Sequence, residues 1–147
     1  MSMEENKAIV RRMTEEFYNQ GNIERADQFF AAGYVHHDPA LPQVRDLEGL
    51  KEALRAFLAG CPDLHITTDE LVGEGDKVLK RWTYHCTHTG DLSGMPPTGN
   101  RITMSGLELF RLADGKIAEC WNAYDNLSML QQLGVIPAPE QAVDSAA

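Results

Sequence analysis

The sequence predicts an α+β domain, with helices in its first half and antiparallel strands in its second. Ile9, Met13 and Phe17 recur every four residues, and Leu47, Leu50, Leu54, Phe57 and Leu58 form a second stripe of helical spacing. From residue 64 onward, β-branched and aromatic runs are punctuated by the turn sequences Gly73-Glu74-Gly75-Asp76 and Ala113-Asp114-Gly115-Lys116. Helices set apart from strands in this way must cover one face of the sheet.

The first helix is expected from Glu4 to Gln20, broken by Gly21-Asn22, and a second from Ile23 to Ala32, stopped by Gly33. Tyr34-Val35-His36 reads as a short extended piece ended by Asp38-Pro39. Asp46 is placed to cap a third helix running to about Ala59. Strands are expected over Leu64–Val72, Val78–Thr89, Arg101–Leu112 and Ile117–Tyr124. Asp125 can then cap a short helix, Asn126 to Leu133, through the amides of Leu127 and Ser128. Residues 135–147 have no apolar pattern and read as a frayed tail of a single domain spanning 1–147.

A chain of 147 residues is one domain's worth, and its 43% hydrophobic and 24% charged residues are ordinary globular composition. The net charge of −9, with scattered acids, offers no basic footprint for nucleic acid or anionic lipid. No apolar run is long enough to span a membrane, and the polar start Met1–Lys7 is unlike a signal peptide, so a cytoplasmic protein is expected. Cys61, Cys86 and Cys120 stand at unrelated spacings and read as buried free thiols rather than a metal or redox site. His36-His37-Asp38 does not make a chelate, because consecutive strand residues face opposite ways; no metal is expected.

Alternation along Arg101–Leu112 puts Met104, Gly106, Glu108 and Phe110 on one face, and Thr103, Ser105, Leu107, Leu109 and Arg111 on the other. Glu108 is therefore a carboxylate among apolar neighbours. Desolvation would favour its uncharged form and give it a proton to exchange, unless Arg81 or Lys80 pairs with it. Asn122 shares strand parity with Cys120 and Tyr124 and can donate its amide hydrogens to a developing oxyanion. Met13, Phe17, Phe57, Trp82, Tyr84, Met104 and Phe110 are candidate pocket wall or core, and His88 shares a strand face with Trp82, Tyr84 and Cys86. Apolar residues on both strand faces suggest a homodimer through the outer face. The glycine- and proline-rich loop from Gly90 to Asn100 has the composition of a lid.

Three segments, Gly94-Met95-Pro96-Pro97-Thr98-Gly99, Arg111-Leu112-Ala113-Asp114-Gly115-Lys116-Ile117 and Met129-Leu130-Gln131-Gln132-Leu133-Gly134, resemble the SnoaL-like polyketide cyclases of the nuclear transport factor 2-like superfamily. The pattern around Tyr34–Pro39 and Thr87–Gly90 is also similar. The resemblance implies three N-terminal helices packed on a curved antiparallel sheet with a short C-terminal helix, in a cone around a pocket. It further implies ring closure of a polyketide methyl ester by aldol condensation without cofactor or metal. The family's catalytic aspartate falls on Asn122 and its helper histidine on Glu108, while His36 matches a pocket position. An amide cannot accept a proton near neutral pH, so Asn122 is not the acid/base.

The expected function is thus a cofactor-independent enzyme using acid/base chemistry on a small apolar carbonyl-type substrate. Glu108, Asn122 and His36 are its candidate catalytic residues. Met13, Phe17, Trp82, Tyr84, His88, Met104, Phe110 and Tyr124 are its candidate substrate contacts. The alternatives are a non-catalytic ligand-binding protein, or an isomerase- or epoxide-hydrolase-like activity on the same scaffold.

Overall fold

A computed structural model of the chain describes residues 2–138. Helix α1 spans Met3–Met13, with Ser2 accepting the Glu5 amide as its cap, and passes directly into a π-helical turn, Thr14–Asn19. A 3-10 segment, Ile23–Gln28, leads into strand β1, Phe30–His37. Helix α2, Leu47–Gly60, is capped by Asp46, whose side chain accepts the Gly49 amide. Strands β2 (His65–Glu74), β3 (Lys77–Thr87), β4 (Arg101–Ala113) and β5 (Lys116–Tyr124) follow, then helix α3, Asn126–Gln132, capped by Asp125 through the Ser128 amide. Among the described residues no helix is long and apolar enough to cross a membrane.

The α+β order and the four later strands agree with the sequence expectation. The N-terminal half differs in three respects. The first helix keeps its apolar stripe but changes pitch at Thr14, which a spacing of four residues does not reveal. The expected second helix ends at Gln28, and Phe30 to Gly33 join β1 instead. Strand pairing overrides local helix preference there: Phe30 registers with Ile117, and the Ile117 amide donates to the Phe29 carbonyl at 2.7 Å. β1 also runs parallel to β5, so the sheet is mixed, in the order β1-β5-β4-β3-β2, and only its four later strands form an antiparallel meander. Of the tail expected to fray, residues 139–147 lie outside the described residues. Val135 and Ile136 donate their amides to the Leu130 carbonyl and close the end of α3.

The core lies between the helices and the inner sheet face. Val10, Met13 and Phe17 from the N-terminal helix, Leu50 and Leu54 from α2, and Val78, Ile102, Phe110, Ile117 and Cys120 from the sheet are all buried in it. Phe17, Phe30 and Tyr34 meet edge to face at 5.3 and 4.8 Å between centroids, which ties the helical layer to β1.

Candidate active-site cavity

Strand register assembles the cavity wall. Lys80, Glu108 and Asn122 are opposite one another on β3, β4 and β5, and the next inward row is Trp82, Gly106 and Tyr124. The missing side chain at Gly106 is required: a Cβ there would lie 2.6 Å from the Trp82 ring, 2.7 Å from Tyr124 Cβ and 2.8 Å from the Ala123 carbonyl oxygen. The aromatic rings therefore lean over a bare strip of β4, with Trp82 stacked on Tyr84 at 5.7 Å. Leu50, Leu54 and Phe57 of α2 form the opposite wall, and Met129 of α3 comes against Tyr84, whose hydroxyl lies 3.3 Å from its sulfur. The cavity has a volume of about 160 Å³. Its wall is apolar apart from a few groups, among them Glu108, Asn122, His36 and Asp38.

Glu108 does not stand alone. The Lys80 ammonium lies 3.1 Å from its Oε1, and Lys80 is entirely buried. Lys80 also donates to the Thr14 hydroxyl at 3.0 Å, which in turn donates to the Val10 carbonyl, and it sits near the rings of Tyr18 and Phe110 at 5.9 and 5.4 Å. The second carboxylate oxygen accepts from the Cys120 thiol at 3.5 Å. Of the two cations expected as possible partners, Lys80 faces inward and Arg81 outward, where it meets Asp69 and Glu70. The alternative of an uncompensated Glu108 is thereby replaced by an ion pair. Burial, and secondarily the negative charge of Glu108, pushes the Cys120 thiol far above its ordinary range.

A separate polar group closes the β1 end. Asp38 Oδ2 accepts from the Tyr124 hydroxyl at 2.9 Å and lies 3.9 Å from His36 Nε2, while Oδ1 accepts the amides of Ala40 and Leu41. Tyr34 Oη and His36 Nδ1 are 2.7 Å apart. With Tyr34 donating to Nδ1, the hydrogen on Nε2 is directed toward Asp38. Burial raises the Asp38 carboxyl, but the facing His36 imidazole and the hydrogen bonds from Tyr124 and the Ala40 amide outweigh it and hold the group below the ordinary carboxylate range. Burial, reinforced by the Asp38 charge, pushes the Tyr124 phenol upward.

Among the sequence candidates, Glu108, Asn122, His36, Trp82, Tyr84, Met104 and Tyr124 line this cavity together. Met13, Phe17 and Phe110 do not; they are packed in the core, each at most 1% exposed. His88 is also off the wall, fully buried, with its Nδ1 3.0 Å from the Thr98 hydroxyl. The loop from Gly90 to Asn100 contributes no wall residue. It packs Leu92 and Gly90 against Gly60 and Ala59 at the end of α2, so the lid expected there is a corner of the scaffold. Asp38, Tyr18, Val44 and Met129 line the cavity without having been singled out by sequence. Among the described residues, buried Trp82 Nε1, His88 Nε2 and Asn122 Oδ1 have no hydrogen-bond partner, and two of these three residues are in the cavity wall.

A curved sheet and helices around an apolar cavity with a few convergent polar groups make a candidate small-molecule site on an α+β scaffold. The sequence profile of the SnoaL-like polyketide cyclase family matches residues 8–133. Aklanonic acid methyl ester cyclase DnrD of Streptomyces peucetius is 33% identical over 138 residues, covering 90% of this chain and 93% of the relative. The corresponding cyclase DauD of Streptomyces sp. strain C5 is 32% identical over 138 residues, covering 90% and 84%. TsrD from Streptomyces laurentii is similar in structure, with a TM-score of 0.81, 30% identity and coverage of 92% of this chain and 99% of that one. The chain belongs to the SnoaL-like polyketide cyclase family.

Proposed function

We propose that the protein is a cofactor-independent enzyme that closes or rearranges a small, largely apolar carbonyl compound in this cavity. The observation that carries the reading is the pairing of Glu108 with Asn122 on adjacent strands, a carboxyl and an amide side by side in an apolar wall. A carboxyl group exchanges a proton with the substrate, and an amide N–H donates to the oxygen on which negative charge develops. Trp82, Tyr84 and Phe57 offer flat surfaces to an aromatic ligand. Aklanonic acid methyl ester, the compound that names the relatives, is the first substrate to test.

A second reading, binding without turnover, is favoured by the Lys80–Glu108 pair, because a carboxylate held by a buried cation is a poor proton shuttle. Incubation with aklanonic acid methyl ester, with ring closure followed chromatographically, separates the readings. The enzyme reading expects turnover in the wild type and a drop of about a hundredfold or more in Glu108→Gln. Saturable binding with no product supports the second reading, and full turnover in Glu108→Gln makes Glu108 structural.

A further inference from the structure

Two carboxylates line the cavity, and their charges are handled differently. Glu108 has Lys80 as counter-ion. Asp38 has no lysine or arginine within ion-pair distance among the described residues; its hydrogen bonds come from the Tyr124 hydroxyl and the amides of Ala40 and Leu41, and the basic side chain nearest it is His36, 3.9 Å away. Asp38 is 6% exposed, and it is on the cavity wall. Its hydrogen bonds keep Asp38 ionised at neutral pH, and with no lysine salt bridge to give up it is the freer of the two carboxylates to take a proton.

Position supports the same division. His36 registers with Cys120 and His37 with Trp121, so the chain enters Asp38 alongside Asn122. Glu108 is opposite Asn122 on its other side. The amide is therefore flanked by the two carboxylates. A substrate oxygen bound at Asn122 can be approached from either.

We propose that Asp38 is a second catalytic carboxylate of this cavity, the base that takes a proton from substrate carbon next to the carbonyl group. The inference rests on the acid–base reading above. The C–H bond breaks, its proton goes to Asp38 Oδ2, and its electron pair enters an enolate whose oxygen faces the Asn122 amide. The enolate carbon then attacks a second carbonyl carbon of the same molecule. A C–C bond forms, the π pair of that carbonyl moves to its oxygen, and the proton on Asp38 passes to this oxygen. The carboxylate is restored and no co-reactant is consumed. Tyr124 and His36 are positioning residues, and Oδ1, engaged by the loop amides, fixes which oxygen faces the substrate.

Asp38 also shapes its own loop, so the test must separate proton transfer from folding. Asp38→Asn keeps an oxygen for the loop amides and loses the base. Aklanonic acid methyl ester in deuterium oxide provides the readout, with deuterium entry at the α-carbon followed by mass spectrometry and ring closure by chromatography. Asp38→Asn should lose exchange and closure together by about a hundredfold or more, with little change in KM. Wild-type exchange in Asp38→Asn overturns the inference and leaves the acid–base reading standing. A wild type that neither exchanges nor closes removes that reading as well. If Asp38→Asn does not fold, Tyr124→Phe decides. Loss of its hydrogen bond raises the Asp38 carboxyl, with His36 still facing it, and the acid limb of the exchange rate should move to higher pH. An unmoved limb overturns the assignment.

Discussion

Lys80 and Glu108 face each other across β3 and β4 at 3.1 Å, the lysine wholly enclosed by the core. Removing one member of such a pair strands the other's charge in a medium that cannot solvate it. Lys80→Met is expected to cost about 3–5 kcal/mol in urea unfolding, whereas Lys80→Met combined with Glu108→Leu should recover most of that loss. A single variant as stable as the wild type would show that the pair carries no structural weight.

The Asp38 carboxyl is held below its ordinary range in the folded chain, so its ionisation favours the folded state at neutral pH. That contribution is complete above the unfolded value near 4 and disappears as pH falls through the lower folded value. Asp38→Asn should therefore show a smaller loss of stability than the wild type between pH 5 and about pH 2. Parallel acid profiles from urea titrations would contradict the assignment of those hydrogen bonds.

At Gly106 any side chain collides with Trp82, Tyr124 and the Ala123 carbonyl. Gly106→Ala should destabilise the protein by about 1–3 kcal/mol and push the aromatic wall inward. Tryptophan emission from Trp82 reports the change, and an unaltered spectrum with unaltered stability would count against the close packing described.

The outer face of the sheet carries Leu79, Leu109 and Trp121 in one row, beside Leu107, which is 43% exposed. An apolar strip of this kind on a long strand is expected to be covered by a second copy of the chain. Sedimentation at micromolar concentration should give a dimer of the 16.4 kDa chain, shifted toward monomer by Leu107→Lys. A monomer throughout would refute the pairing.

Periodicity reached α2 and the four later strands because each is amphipathic by itself. It missed the length and direction of β1, since Phe30-Ala31-Ala32 have no strand character until Ile117 lies beside them. Parity placed Glu108 and Asn122 in one cavity but was not carried to β3, where Arg81 and Lys80 stand as alternative partners and alternation puts Lys80 on the inner face with Trp82 and Tyr84. Only coordinates could show that its ammonium turns back to Glu108. Asp38 read as a turn residue before Pro39, and nothing local announces a hydrogen bond from Tyr124, 86 positions away. Met13, Phe17 and Phe110 show the converse limit, because helix or strand parity separates inside from outside but does not separate core from cavity.

β4 runs past β5, whose pairing with it begins only at Gly106, so among the described residues the stretch from Arg101 to Ser105 lacks a neighbouring strand on that side. Gln132 fills part of the gap: its side-chain oxygen accepts the Thr103 amide and its nitrogen donates to the Thr103 carbonyl, both at 2.8 Å. A single carboxamide thus imitates a peptide unit and blunts an open rim that could recruit extended segments from other molecules. Loss of that amide is therefore expected to leave the Thr103 amide and carbonyl open to pairing with other molecules and to promote aggregation on heating, although Gln132 makes no contribution to the cavity wall.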